Sequence, residues 1–155
     1  MLKIKPFTSE YQEAVTAVCL APEQIQFAGS AEDFLANNDE NLHRHIIEVE
    51  GHVVGFFNID ITYATHFSFC LPNTLGLRGF VVSMDQQGKG IGTGAVRALL
   101  SYLSVHYSTY DGIYLTVNCR NIGAKRCYLN GGFEDTGEQY LGGAAGPQHI
   151  MYRPF

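Results

Sequence analysis

The 155-residue chain contains no apolar run approaching the ~18 to 20 residues that a membrane-spanning helix needs. Its opening, "MLKIKPFTSEYQEAV", lacks the basic-then-apolar order of a secretory signal, so a cytoplasmic location and no membrane partner are expected. Cysteine is sparse. Cys19, Cys70, Cys119 and Cys127 form no CxxC pair, which argues against a zinc site or a disulfide framework and leaves reduced thiols as the expectation. Positive charge is also scarce: 10 Lys and Arg stand against 15 Asp and Glu, for a formal net charge of -5. That balance argues against broad nucleic-acid binding, which needs a basic footprint, and suits a cationic small molecule. Neither an internal repeat nor a low-complexity segment is present. What remains, 46% hydrophobic and 16% charged residues, is the composition of one globular domain spanning residues 1–155.

The patterns along the chain alternate between periods of two and of 3.6. "LKIKPF" alternates apolar and basic residues and reads as a half-buried strand. "TSEYQEAVTAVCLAP" follows, with Ser9 and Gln12 spaced as a capping box, Tyr11, Val15 and Val18 on one helical face, and Pro22 as its stop. A second short helix is expected at "SAEDFLANN", capped by Ser30, with Phe34 and Leu35 inward. "HRHIIEVEGHVVGFFNIDI" is two β-branched and aromatic runs split at Glu50 and Gly51, a hairpin signal. The aromatic segment "TYATHFSFCLPN" reads as a surface loop or strand edge. "TLGLRGFVV" then predicts a strand with Leu75, Leu77, Gly79 and Val81 on one side. Val96, Leu99, Leu100 and Leu103 mark a helix ending near His106. "GIYLTVN", "NIGAKRCYLNGG", "GFEDTGEQYL" and "QHIMYRPF" complete the order β-α-α-β-β-β-α-β-α-β-β, an α/β (mixed α+β) fold around one sheet.

Between the strand "GFVV" and the next helix stands Gln87-Gly88-Lys89-Gly90-Ile91-Gly92-Thr93-Gly94. Glycines there let backbone N–H groups converge on one point, and the helix start adds the positive end of its dipole, so the turn suits an anion, most often phosphate. The GxxxxGK[ST] form is absent, because Lys89 is followed by Gly90 and no glycine stands five residues before Gly88, which argues against a nucleotide triphosphatase. A GxGxxA dinucleotide form can be traced from Gly90 to Ala95, but "SMDQQGK" separates it from the strand it should follow directly. A third form, Q/R-x-x-G-x-G/A, is met at full spacing by Gln87, Gly90 and Gly92.

With that third form, "FVVSMDQQGKGIG" resembles the signature of the GNAT superfamily of N-acetyltransferases, with Met84 where proline is usual. A second segment, "NIGAKRCYLNGGF", is similar to the family's N-x-x-A-x-x-L-Y-x-x-x-G-F, with Asn121, Ala124, Tyr128, Gly132 and Phe133 in place and Cys127 where leucine is common. The resemblance implies a single domain with splayed central strands and acetyl-coenzyme A in the cleft between them. It places the coenzyme's pyrophosphate on the amides of Gln87, Gly88, Lys89, Gly90, Ile91, Gly92 and Thr93, and its pantetheine arm along Phe80, Val81 and Val82. It also implies a backbone N–H near Val82 for the acetyl oxygen, Asn121 at the coenzyme, and Tyr128 as general acid toward the leaving thiol. Acetyl-coenzyme A is thus the expected cosubstrate, with no metal.

Structural roles stand beside these. Tyr128 also fits a core aromatic, Asn121 a helix N-cap, and Lys125 and Arg126 solvated helix charges within reach of coenzyme phosphates. His43 and His45 share a strand face without a recognisable third ligand, which favours packed or solvated histidines. For the general base, Glu48, Asp60, His66 and water remain open. The resemblance implies a primary amine as acceptor, attacked in a ternary complex, and a small cationic amine is the first expectation. In "QGKGIG", "NIGAKRCY" and "GFEDTGEQ" the chain is similar to the small-polyamine acetyltransferases of the superfamily; a protein N-terminus or lysine, an antibiotic or amino acid, and a non-catalytic acyl-coenzyme A module are the alternatives. The early helices, residues 62–73 and residues 141–147 are expected to read the acceptor; homodimer formation is left open.

Overall fold

Residues "LKIKP" form β1 (Leu2–Pro6), an edge of the seven-stranded sheet in the computed structural model, which describes residues 1–20, 22 and 29–155. The chain continues through α1 (Gln12–Thr16), α2 (Ala31–Ala36), β2 (Leu42–Val49), β3 (His52–Asp60), α3 (Tyr63–His66) and β4 (Thr74–Val82). It then runs through α4 (Ile91–His106), β5 (Gly112–Asn118), α5 (Ile122–Gly131), β6 (Glu134–Tyr140) and β7 (Gln148–Pro154). Among the described residues the order is the expected one with a short helix, α3, added. Strands lie as β1-β2-β3-β4-β5-β7-β6, antiparallel except where β4 meets β5. Glu50 and Gly51 close the β2–β3 hairpin with φ of 51° and 81°, the two positive angles of a turn that follows strand twist.

Three expectations need correction. The Ser9–Gln12 capping box does not form. Residues Ser9–Tyr11 make a 3-10 turn, α1 starts after Tyr11 without a side-chain cap, and Thr16, whose hydroxyl donates to Gln12 O at 2.9 Å, ends it well before Pro22. Ser30, by contrast, does cap α2: its Oγ accepts from Asp33 N at 3.1 Å while Asp33 Oδ2 accepts from Ser30 N at 3.2 Å. The aromatic segment is not a plain surface loop, since part of it is α3 and Tyr63 is 2% exposed, its ring lying where a Cβ on Gly76 would sit 2.0 Å away.

β4 also departs from the expected alternation. Phe56 pairs with Val81 and Asn58 with Arg78, so β4 spends one residue more than β3 over that span, a bulge, and Gly79 supplies the positive φ of 60° within it. The bulge reverses the alternation. Phe80 and Val82 join Leu75 and Leu77 in the core under α4 and α5, while Val81 turns to the opposite face with Phe56 and Ile46.

The first core packs Val96, Leu99 and Leu103 of α4 and Phe133 against the sheet. On the other face, Val15 of α1 and Phe34 of α2 cover Ile46, Phe56 and Val81, each such side chain contributing about 1.5–3 kcal/mol of apolar burial. Among the described residues, no helix is long and apolar enough to cross a membrane.

Candidate active site

β4 and β5 run parallel but pair only through Thr74, Leu75 and Gly76 against Gly112, Ile113 and Tyr114. Beyond that point the strands diverge and exchange no ladder pairs, leaving a wedge-shaped opening bordered by Phe80, Val81 and Val82 on one side. The bulge at Gly79 lies three residues past Gly76, the last residue of β4 that pairs with β5.

At the wide end of the wedge, Ser83 N–H donates to Val54 O at 2.7 Å and a 3-10 turn, Met84–Gln86, leads into the glycine loop. Gln87 Nε2 donates back to Val82 O at 3.3 Å, tying the loop to the strand end. Gly88 and Gly90 adopt φ of 80° and 75°, with open space where a Cβ would stand, and Gly90 is the N-cap of α4. Among the described residues no hydrogen bond engages the amides of residues 88–93, whereas Gly94 N–H donates to Gly90 O at 3.0 Å. A row of unengaged N–H groups at the start of a four-turn helix is an anion cradle, and it fits a phosphate or pyrophosphate group. Lys89 is exposed within it.

Tyr128 projects from α5 into the core beside the wedge, its ring 5.8 Å from those of Phe80 and Phe133. Burial pushes its phenol well above the ordinary value near 10, and the neighbouring Cys127 adds in the same direction, so the hydroxyl stays protonated at neutral pH and acts as a donor. Asn121 caps α5 by accepting from Ala124 N at 3.3 Å. Lys125 is bound to Asp135 Oδ2 at 2.8 Å, and Arg126 is exposed.

The three side chains considered as bases lie apart from one another. Glu48 is on β2, with β3 between it and β4, and holds Lys5 Nζ at 3.0 Å. His66 is exposed on α3, its Nδ1 3.0 Å from Thr62 O. Asp60 is opposite Gly76 at the narrow end of the wedge, buried, accepting from Arg78 Nε at 2.8 Å and from Thr62 N and Oγ1 at 2.9 Å. No hydrogen bond joins any of them to Tyr128. His43 and His45 are packed groups: Nδ1 of His43 lies 2.6 Å from the Tyr107 hydroxyl, and Nδ1 of His45 lies 2.8 Å from His43 O.

Sequence reasoning missed a pocket of about 230 Å³ on the α1–α2 face, lined by Asp33, Phe34, Asn37, Phe56, Asn58 and Gly79. Its one sequence signal is Asn58, a polar residue inside the apolar run "GFFNIDI".

A family model described as the acetyltransferase (GNAT) family matches residues 6–133. An uncharacterized N-acetyltransferase of Bacillus subtilis is 33% identical over 100 residues, 64% of this chain and 62% of its own length. A probable spermine N(1)-acetyltransferase of Bacillus subtilis subsp. natto is 28% identical over 142 residues, 88% of this chain and 90% of its own. In fold, the chain is similar to an aminoglycoside acetyltransferase solved with coenzyme A, at a TM-score of 0.81 and 19% identity, over 99% of this chain and 95% of that one.

Proposed function

This chain belongs to the acetyltransferase (GNAT) family, and from that premise we propose that residues 1–155 form one catalytic unit that acetylates the primary amine of a small cationic molecule with both substrates bound. The observation that carries the reading is the continuity of the unengaged amides at residues 88–93 with the wedge between β4 and β5 and with the protonated Tyr128 beside it. Acetyl-coenzyme A supplies a thioester carbonyl and a thiol leaving group. The amides from Gly88 to Thr93 hold its pyrophosphate, while the Gln87 N–H, expected among them, is given to Met84 O at 3.3 Å and Gln87 braces the loop instead; the backbone of Phe80, Val81 and Val82 lies along the pantetheine arm, and Asn121 flanks it while capping α5.

The acceptor enters as a neutral amine, since an ammonium near pKa ~10.4 has no lone pair to attack with. The backbone N–H near Val82 stabilises the carbonyl oxygen as it gains charge, and Tyr128 donates its hydroxyl hydrogen toward the departing sulfur. Because burial raises the phenol further above a thiol's ~8.5, Tyr128 acts chiefly by hydrogen bonding rather than by full proton transfer. The net charge of -5 and the similarity to a probable spermine acetyltransferase support a cationic acceptor. Thiol release from acetyl-coenzyme A across polyamines, amino alcohols, amino sugars, amino acids and short peptides tests the reading. Small cationic amines turn over fastest under it. Faster release with peptide N-termini would replace the acceptor class, and acyl-coenzyme A binding without release to any amine would make the chain a binding module.

A further inference from the structure

The pocket on the α1–α2 face contains two buried amide atoms that have no hydrogen-bond partner among the described residues, Asn37 Nδ2 and Asn58 Oδ1. An unmet buried polar atom in native packing calls for a partner that arrives from outside. The orientation of Asn37 is set by the backbone, because its Oδ1 accepts from Asp39 N at 2.9 Å. Nδ2 therefore presents its hydrogens elsewhere, and what it lacks is an acceptor. Asn58 Oδ1 lacks a donor, and the exposed carboxylate of Asp33 stands at the same pocket, accepting from Ser30 N among the described residues.

The pocket also lies where an acceptor has to be. Gly79, in the β4 bulge that follows the last pair with β5, lines it, and Asn58 pairs in register with Arg78 immediately before that bulge. The pocket's aromatic wall, Phe34 and Phe56, belongs to the core on the face opposite α4, whose N-terminus carries the anion cradle. Two reactants approaching the wedge from opposite faces meet at its edge.

Resting on the acetyltransferase reading above, we infer that this pocket binds the acceptor and that the acceptor carries a hydroxyl or ether oxygen one or two carbons from its amine, as in an amino alcohol or amino sugar. Asn58 Oδ1 takes an N–H of the amine and Asp33 supplies negative charge for a cationic neighbour. Asn37 Nδ2 donates to the oxygen. A plain alkyl diamine meets the first two requirements, but a protonated amine has no lone pair for Asn37 and leaves its buried N–H unmet. At about 230 Å³ the pocket falls below the ~300–1,000 Å³ of sites for whole drug-sized ligands, so it takes the reacting end of the molecule, with Phe34 and Phe56 against its methylenes.

The test compares kcat/KM for 1,3-diamino-2-propanol and 1,3-diaminopropane, which differ by one hydroxyl, at saturating acetyl-coenzyme A. Values are taken across pH so that the lower basicity of the hydroxylated amine is removed. The wild type is expected to prefer the hydroxylated diamine by about tenfold or more, the factor a buried unpaired donor imposes. Asn37→Asp keeps the oxygen that accepts from Asp39 N and replaces only the donor, so the preference disappears or inverts. Asn58→Ala lowers kcat/KM for both diamines by a similar factor and leaves their ratio standing. The coenzyme-induced rise in melting temperature serves as the folding control for both variants. Equal kcat/KM for the two diamines, or a wild-type ratio retained in Asn37→Asp, overturns the inference while leaving acetyl transfer intact, and assigns the two amides to a bridging water. Absence of turnover with every amine overturns the small-amine reading and this inference together.

Discussion

Acidification tests the packing of one buried group, His45. It is 2% exposed on β2, stacked on Phe57 with ring centroids 5.2 Å apart and met edge-on by Tyr102 at 5.3 Å. His43 O can only accept, so the 2.8 Å contact puts the proton of the neutral ring on Nδ1 and leaves Nε2 in aromatic surroundings. Burial pushes the imidazole from 6.5 down to about 4; the bond to His43 O opposes this, and His43 and His106 add to it. Below pH 6.5 the unfolded chain takes a proton that the folded chain refuses, so stability falls with pH until about pH 4, where the folded ring also charges. This one group removes about 1.4 kcal/mol at pH 5.5 and about 2.5 kcal/mol at pH 4.5, approaching about 3.4 kcal/mol below pH 4. Urea unfolding at pH 7.5, 5.5 and 4.5, for the wild type and His45→Phe, isolates the effect. The phenylalanine keeps the stacking and loses about 1 kcal/mol at pH 7.5 with the hydrogen bond, yet its stability declines less by the amounts above. Parallel stability–pH curves for the two proteins, or an NMR titration of His45 near 6.5, would refute the reasoning.

Acetyl-coenzyme A at ~100 times its dissociation constant should stabilise the fold by about 2.7 kcal/mol, read as a raised melting temperature that equal NAD or ATP does not reproduce; an equal NAD shift would reassign the cradle. Gly90→Val should remove coenzyme binding, because a β-branched residue resists the φ of 75° that aims the amides, and titration calorimetry on the folded variant checks this. Tyr128→Phe should preserve the packing against Phe80 and Phe133 and lower kcat ~10²- to 10³-fold, the cost of losing one hydrogen-bond donor to developing charge, with single-turnover kinetics confirming that chemistry is measured. Unchanged kcat would leave Tyr128 as a core aromatic.

The strand and helix order could be read from periodicity because each element buries one face, and the loop before α4 could be read because its glycines are local requirements. Asn121 and Ser30 were legible as caps for the same reason. Gly79 was not: a glycine within a strand is compatible with several causes, and the bulge exists only relative to the register of β3. The burial of Tyr63, within a segment that read as a surface loop or strand edge, was not legible because it depends on Gly76, a neighbour across the fold. The presence of Asn37 and Asn58 at one pocket likewise arises when α2 packs on the sheet, and nothing within either segment announces it. The ion pair of Glu48 with Lys5 was hidden in the same way, since it forms only when β1 pairs beside β2.

The short seam between β4 and β5 makes this sheet, mechanically, two plates. β1 to β4 form one and β5, β7 and β6 the other, riveted at Thr74, Leu75 and Gly76 and backed by the layer of helices. At the rivets stand two glycines whose neighbours leave no room for a side chain. A Cβ on Gly76 would sit 2.0 Å from the Tyr63 ring, and one on Gly112 would sit 2.6 Å from Tyr152 Oη. Widening either position pries at the joint between plates rather than at the interior of one, so damage there reaches the width of the wedge without touching a residue of the glycine loop or of the pocket.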